Sequence, residues 1–139
     1  MSLRRARPGL VIVEGIMGSG KSTTAEPIAG SLERAGRRAR AIPELPRPHP
    51  LRATDELAHW YEPWLDVTAA DLAARSLARW RTFVDAGGAD DPVSVLDGQL
   101  FHGDLTNLFR MGAAPMAIAA YSRAAESFIR RLAPLVVYF

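Results

Sequence analysis

The stretch LVIVEGIMGSGKSTT, from Leu10 to Thr24, decides the fold of this chain. An apolar run is followed there by a glycine-rich turn that matches the pattern G-x-x-x-x-G-K-[ST]. Gly15 opens the match, and Gly20, Lys21 and Ser22 close it. Because such loops hold phosphate groups between a strand and a helix, the stretch predicts a phosphate-binding loop.

The sequence on both sides of the loop agrees with this interpretation. Val11–Val13 form a β-branched run that is typical of a buried strand. After the loop, apolar residues repeat at helical spacing as far as Gly36, a suitable helix C-cap. These residues are Ala25, Ile28, Ala29 and Leu32. Pro27 interrupts the pattern, and we expect it to kink or loosen the helix.

The residue types in the loop suit a nucleoside triphosphate and a magnesium ion. Glycines let successive backbone N–H groups face an anion, and a helix beginning near Gly20 would add its unpaired N-terminal donors. The ammonium group of Lys21 can act on the β- and γ-phosphates, while the hydroxyl of Ser22 suits Mg²⁺. Lys21 is also the only lysine among 17 basic residues. The sequence therefore has its one compact ammonium group at the position where the loop requires it.

The composition limits the class of protein. With 139 residues, 48% of them hydrophobic and 23% charged, the chain fits one globular domain. No apolar run approaches the roughly 20 residues that cross a bilayer, so no membrane association is expected. The absence of cysteine favours a cytoplasmic location, and a net charge of +2 is too small to indicate nucleic acid binding. We expect a flexible basic N-terminus over residues 1–9 and a domain over residues 10–139, with the oligomeric state left open.

A second strand and a proline-rich loop follow the first helix. Ala39–Pro43 reads as a short strand, which predicts a βαβ unit with a parallel sheet. The segment Glu44–Pro50, ELPRPHP, contains three prolines and is predicted to be a loop at the carboxyl edge of the sheet. Ligands bind at that edge in open α/β sheets, so Glu44 is a candidate for contacting an acceptor substrate or Mg²⁺. A helix-capping or surface role for Glu44 is equally open.

The region after this loop is rich in aromatic residues. Within Arg52–Leu65, apolar side chains recur at roughly helical spacing, and a core role is favoured over an acceptor pocket. They are Leu57, Trp60, Tyr61 and Trp64. A capping pattern at Thr68 then predicts a helix whose buried stripe includes Leu72, Ser76, Trp80 and Val84.

A third strand is predicted over Val93–Leu96, and it ends in Asp97. A carboxylate at a strand end beside a phosphate loop can reach Mg²⁺ or its waters, so Asp97 is a candidate metal ligand. His102 is a weaker candidate for proton transfer, because a lone histidine is more often structural. A helix beginning near Pro115 and an apolar strand over Leu135–Phe139 complete a predicted three-layer αβα fold with a mostly parallel sheet of about four strands.

Together these residues resemble a known family. The run VIVEGIMGSGKST, the acidic residue after the second strand and VLDG at the third strand are similar to P-loop kinases of the thymidylate kinase and nucleoside monophosphate kinase type. The nearest likeness is to a group of uncharacterised kinase-like proteins with an acidic residue and an HP dipeptide after the second strand. The resemblance implies that ATP phosphates are held by Gly15, Ile16, Met17, Gly18, Ser19, Gly20, Lys21, Ser22 and Thr23.

The resemblance also implies roles for residues outside the loop. Ser22 and Asp97 would hold Mg²⁺, and Lys21, Asp97 and Glu44 would act in catalysis. Glu44, with residues 44–65, would face the acceptor. Members of that family carry arginine directly after the third-strand acidic residue, where this chain has Gly98. They also continue into an arginine-bearing lid and a fifth strand, so we expect the chain to be an incomplete or reduced member.

The expected function is transfer of the γ-phosphoryl group of ATP to a small-molecule acceptor, such as a nucleoside or nucleotide. The acceptor group can be a hydroxyl or a phosphate. The alternative is an ATP-binding module or weak NTPase without productive transfer. A hydrolysing switch is disfavoured because the sequence lacks an N-K-x-D motif and a D-x-x-G element after the third strand.

Overall fold

The computed structural model describes residues 7–15, 23–87 and 91–139. Four strands in this part of the chain form one sheet in which every pairing is parallel. The strands are β1 (Leu10–Glu14), β2 (Ala39–Ile42), β3 (Val93–Asp97) and β4 (Leu135–Tyr138), in the spatial order β2-β3-β1-β4. The predicted α/β class with a parallel sheet of about four strands is confirmed.

The described residues contain four α-helices, of which the first, second and fourth were predicted from the sequence and the third was not. They are α1 (Ala25–Arg34), α2 (Ala69–Ala86), α3 (Thr106–Arg110) and α4 (Pro115–Ile129). The Thr68 side chain caps α2 by accepting a hydrogen bond of 3.1 Å from the backbone N–H of Asp71. Pro115 opens α4 at a position where a missing N–H costs nothing. Gly36 follows α1 with a φ of 79°, as expected for a glycine after a helix end.

α1 begins at Ala25, with Thr24 as its cap residue. The predicted helix start near Gly20 falls in residues 16–22, outside the described residues. Pro27 lies in the first turn of α1, where backbone N–H groups have no partner within the helix, so it removes no hydrogen bond of α1. The kink or loosening expected at Pro27 stays a prediction.

The sheet is covered by different helices on its two faces. Side chains alternate along each strand, so Val11 and Val13 pack with Ala25 and Ala29 of α1 on one face. On the other face Leu10, Ile12 and Leu96 pack with Trp80 of α2 and with Tyr121, Ala125 and Ile129 of α4. This arrangement places α1 opposite α2 and α4. No helix among the described residues is long and apolar enough to cross a membrane.

The segment between β2 and α2 does not form the helix that its apolar spacing predicts. It contains two short 3₁₀ turns, Ala53–Glu56 and Pro63–Leu65. The carboxylate of Asp55 accepts hydrogen bonds from the backbone N–H of His49 at 2.8 Å and from Arg52 Nε at 2.6 Å. Hydrogen bonds to side chains, rather than the backbone hydrogen bonds of a helix, therefore stabilise this segment.

The core role favoured for the aromatic residues of this segment is also wrong for two of them. Tyr61 is 65% exposed and Trp64 is 39% exposed. Trp60 is half-buried, and the guanidinium carbons of Arg47 and Arg52 lie 4.8 and 5.0 Å from its ring centroid. Two guanidinium groups therefore pack on the Trp60 ring in cation–π contacts.

Candidate functional site

The carboxyl ends of β1 and β3 form the centre of the candidate site. The two strands are neighbours, and Val13 of β1 is in register with Asp97 of β3. The chain leaves β1 toward α1 on one face of the sheet, and it leaves β3 toward α4 on the other. Ligands bind in the crevice that opens at such a switch point in α/β sheets.

The predicted phosphate loop begins at this crevice. Gly15 directly follows β1, and Thr23 lies shortly before α1. Residues 16–22, which include Lys21 and Ser22, lie outside the described residues. The phosphate contacts assigned to the loop, and the role of Ser22 as a metal ligand, remain predictions.

Asp97 is the residue of the described part that fits a magnesium ion. Its side chain is 5% exposed at the end of β3, one strand away from the start of the loop. A carboxylate oxygen is the donor type that Mg²⁺ prefers, and Mg²⁺ usually takes only one or two carboxylates together with substrate phosphates. No three His, Cys, Asp or Glu side chains of the described residues form a group that could hold a metal by themselves. Asp97 alone, beside a predicted phosphate loop, is consistent with this mode of Mg²⁺ binding.

Glu14 is a buried carboxylate to which the sequence reasoning assigned no role. It is the last residue of β1, it is 0% exposed, and its Oε1 accepts hydrogen bonds of 2.9 Å from the backbone N–H groups of both Leu100 and Phe101. Its Oε2 accepts a third hydrogen bond, 3.2 Å long, from the N–H of His102. Burial raises the pKa of Glu14, and the three backbone donors oppose that rise. The sequence did contain a signal for this role, since Glu14 directly follows the apolar run Leu10–Val13. A carboxylate at the end of a buried strand requires hydrogen-bond partners.

Glu14 thereby fixes the turn that follows β3. Leu100–Leu105 form a π-helical turn that leads into α3. Before it, Gly98 has a φ of 73° and Gln99 has a φ of 97°. Left-handed backbone at a residue other than glycine costs roughly 1 to 3 kcal/mol and persists where the surroundings impose it. π-Helical turns are also frequent at functional sites.

A buried hydrogen-bond network supports the same turn from the other side. The carboxylate of Asp104 accepts hydrogen bonds from Gln99 Nε2 at 3.0 Å and from Trp80 Nε1 at 2.8 Å. The hydroxyl of Tyr121 is its third donor. Burial raises the pKa of Asp104 to about 6, although the three donors oppose this. The turn is therefore attached to helices α2 and α4.

The turn places His102 against Glu44, the predicted acceptor-side residue. His102 Nε2 lies 3.1 Å from Glu44 Oε1, and the two side chains are 25% and 28% exposed. Gly98 lies beside both, since a Cβ there would be 3.7 Å from His102 Cβ and 4.0 Å from the carboxyl carbon of Glu44. The structure thus brings Glu44 and His102 together next to Asp97.

The backbone of Glu44 is held independently of its side chain. Arg52 donates hydrogen bonds from Nη1 to the carbonyl of Glu44 at 2.5 Å and from Nη2 to the carbonyl of Pro46 at 2.9 Å. Arg52 also pairs with Asp55. The proline-rich loop is therefore fixed by a guanidinium group.

A large cleft lies at the opposite, amino edge of the sheet. Its volume is about 1040 Å³, and its lining includes Arg37, Arg40 and Arg131. The carboxyl ends of α1, α2 and α4 border this cleft, and arginines near such ends complement the negative end of the helix dipole. Arg37 donates to the carbonyl of Pro8, and Arg131 pairs with Asp85 at 2.7 Å. These contacts hold two of the five arginines that line the cleft.

No protein-family model, curated protein or solved structure matches this chain. The kinase resemblance therefore depends on the residues alone. The function must therefore be inferred from the motif and from the geometry at the carboxyl edge of the sheet.

Proposed function

We propose that the chain binds Mg·ATP through residues 15–23 and transfers the γ-phosphoryl group to a small-molecule acceptor. The supporting observation is the position of the G-x-x-x-x-G-K-[ST] stretch. It leaves a fully buried strand of a parallel sheet, precedes α1, and starts beside the strand that ends in Asp97. A phosphate loop requires this strand-to-helix context.

Under this proposal the chain acts mainly by positioning and charge. Backbone N–H groups of the loop and the ammonium of Lys21 hold the phosphates of the donor. A bound Mg²⁺, held by Ser22 and Asp97, would neutralise phosphate charge. Glu44 and the segment that follows it lie on the acceptor side. Holding donor and acceptor in reacting geometry supplies a large part of the acceleration in such reactions.

The test is calorimetric titration of Mg·ATP into the wild-type chain and into the Lys21→Ala variant. Loss of a charge-assisted contact should weaken binding by about 1 to 3 kcal/mol. The matched control is Arg123→Ala, which removes one positive charge from an exposed position of α4. We expect the control to bind Mg·ATP like the wild type.

Two results would argue against the proposal in different ways. Equal affinity in the wild type and in Lys21→Ala would exclude the loop as the phosphate site. Binding without any acceptor-dependent release of ADP would instead favour the alternative, an ATP-binding module or weak NTPase.

A further inference from the structure

The cleft at the amino edge of the sheet has the size of a small-molecule site. Its volume is about 1040 Å³, and it lies between the carboxyl end of α2 and the starts of the strands. Pockets that bind small molecules usually have volumes of roughly 300 to 1,000 Å³. The predicted phosphate loop leaves β1 at the opposite, carboxyl edge, so a ligand in this cleft would occupy a second site.

The cleft carries an excess of positive charge. Among its described lining residues one, Asp91, is a carboxylate, and five are arginines, namely Arg7, Arg37, Arg38, Arg40 and Arg131. Arg131 pairs with Asp85 at 2.7 Å, so Asp85 and Asp91 together offset two of the five charges. The carboxyl ends of the three helices that border the cleft carry a charge of about −0.5 each, which offsets fewer than two more. The remaining charge of the cleft is positive.

Two of these guanidinium groups form hydrogen bonds to uncharged oxygen atoms. Arg37 donates from Nη2 to the backbone carbonyl of Pro8, and Arg40 donates from Nε to the hydroxyl of Ser94 at 3.3 Å. These contacts orient the two side chains but do not neutralise their charge. Because a guanidinium group carries several N–H donors, Arg37 and Arg40 can also bind an oxyanion in the cleft.

Ser94 adds a buried polar group to the cleft. Ser94 is 5% exposed, and since its oxygen accepts from Arg40, its own hydroxyl hydrogen can be donated to a ligand. Its strand, β3, lies between β2, which carries Arg40, and β1, which Arg7 precedes. Neighbouring strands are about 4.8 Å apart, so these arginines enter the cleft from positions about 10 Å apart. A ligand with several linked anionic groups matches this spread better than a single anion does.

We propose that the amino-edge cleft binds a small molecule that carries a chain of phosphate groups. Arg37, Arg40 and Ser94 hold one part of the phosphate chain, and Arg7 and Arg131 lie toward its other end. Phosphate oxygens suit guanidinium groups because they accept two parallel N–H hydrogen bonds. The size of the cleft and a net charge of only +2 for the whole chain favour a small molecule over a nucleic acid. This inference does not depend on the proposed phosphotransferase function.

The experiment is calorimetric titration of inorganic tripolyphosphate into the Lys21→Ala chain, without added magnesium. Lys21→Ala removes the ammonium group of the predicted phosphate loop, so that binding in the cleft is measured apart from it. We expect saturable binding of one tripolyphosphate per chain, at least about 10-fold tighter than that of inorganic phosphate, because more charge-assisted hydrogen bonds form. Citrate, a polycarboxylate, should bind more weakly than tripolyphosphate.

Variants of the cleft arginines are then made in the same chain. Arg37→Gln with Arg40→Gln removes two positive charges and should weaken tripolyphosphate binding at least about 10-fold, while the glutamine at position 40 keeps a donor for Ser94. The matched control, Arg34→Gln with Arg123→Gln, removes the same charge from exposed positions outside the cleft lining. Arg34 also donates to a serine hydroxyl, at 3.0 Å. This control should bind tripolyphosphate like its parent.

Urea denaturation shows whether each double variant folds. If Arg37→Gln with Arg40→Gln does not fold, Arg40→Gln alone replaces it, because Arg40 is exposed on the edge strand β2. The single variant should weaken tripolyphosphate binding about 3- to 10-fold.

Four results would overturn the proposal. They are no saturable binding of tripolyphosphate, equal affinity for phosphate and tripolyphosphate, citrate binding as tight as that of tripolyphosphate, and equal losses in the cleft variant and its control. A short single-stranded oligonucleotide, titrated in the same way, should bind more weakly than tripolyphosphate. Tighter binding of the oligonucleotide that is lost in the cleft variant would assign the cleft to nucleic acid and overturn the small-molecule proposal. Mg·ATP binding by the wild type tests the proposed function separately, so the two proposals can fail independently.

Discussion

His49 shows how a single buried residue gives the proline-rich loop a dependence on pH. The side chain is 2% exposed, and its Nδ1 accepts a hydrogen bond of 3.1 Å from the N–H of Leu51. Protonation of the neutral ring would place a hydrogen on this acceptor atom and break the contact. Burial, followed by the positive charge of Arg52, lowers the pKa of His49 to about 4.

The consequence for stability follows from the direction of that shift. Because the pKa of His49 in the folded state lies below its ordinary value of 6.5, the contribution is fully present above pH 6.5 and is lost as the pH falls toward 4. His49→Asn keeps an acceptor for Leu51 but does not titrate. The free energy of unfolding of the wild type, relative to this variant, should therefore fall by about 3 kcal/mol between pH 7 and pH 4.

Urea denaturation at a series of pH values measures this difference. The comparison with His49→Asn cancels the groups that titrate in both proteins. If the free energies of unfolding of the wild type and of His49→Asn differ by the same amount from pH 7 to pH 4, His49 is not held as a neutral buried ring.

At the scale of elements, the π-helical turn Leu100–Leu105 depends on the carboxylate of Glu14, which lies in a different part of the chain. Glu14→Gln places an amide NH₂ group where two oxygens now accept from three backbone N–H groups. At least one donor then loses its partner in a buried place. We expect the variant to lose about 1 to 3 kcal/mol of unfolding free energy.

The matched control for this prediction is Glu126→Gln. Glu126 is an exposed carboxylate paired with Arg130 one helical turn away, and such pairs contribute less than about 1 kcal/mol. Urea denaturation of both variants at pH 7 is the measurement. Equal stability of Glu14→Gln and Glu126→Gln would mean that the turn does not depend on this carboxylate.

The elements also show which parts of the structure were predictable from the sequence. The strands and helix α2 were predictable because their apolar residues follow the period of a strand or a helix. The segment 44–65 was not, since Arg52 and Asp55 hold it by side-chain contacts that leave no periodic signal. The turn after β3 was not either, because its partner Glu14 lies 86 positions before Leu100.

The candidate site was predictable to a similar degree. Asp97 and Glu44 were found because acidic residues directly follow short apolar runs, and such runs predict strand ends. The pairing of Glu44 with His102 could not be read from the sequence, because it requires the bends at Gly98 and Gln99. The loop contacts of Lys21 lie outside the described residues, so they remain a prediction from the motif.

At the scale of the whole molecule, Asp104 connects three separate elements. Its donors come from Trp80 of α2, Tyr121 of α4 and Gln99 in the turn after β3. The two helices cover the face of the sheet opposite α1, and the turn carries His102. A buried carboxylate therefore joins the packing of this face to the candidate site.

The pH dependence of this connection should run opposite to that of His49. Burial raises the folded-state pKa of Asp104 to about 6 from an ordinary value of 3.8. Its stabilising contribution is therefore fully present below pH 3.8 and is lost as the pH rises through 6. Asp104→Asn keeps the shape of the side chain without the charge. Between pH 4 and pH 7, the unfolding free energy of this variant should rise relative to the wild type by about 2 kcal/mol.

Urea denaturation across that pH range is the measurement, and Asp71→Asn, at an exposed position in the first turn of α2, is the matched control. The control should change little with pH relative to the wild type. If the unfolding free energy of Asp104→Asn relative to the wild type does not change with pH, Asp104 is ionised and well solvated in the folded protein. That result would contradict its burial. Suppose that the unfolding free energy of Asp104→Asn rises relative to the wild type as the pH rises, and that the wild type loses stability relative to His49→Asn as the pH falls. The two buried groups then give the wild type opposite dependences on pH. The loop beneath Glu44 then weakens in acid, and the helices behind His102 weaken toward neutral pH. Because both groups titrate over nearly the same pH range with opposite effects on stability, the two changes largely cancel in the unfolding free energy of the wild type, and only the comparison with each variant separates them.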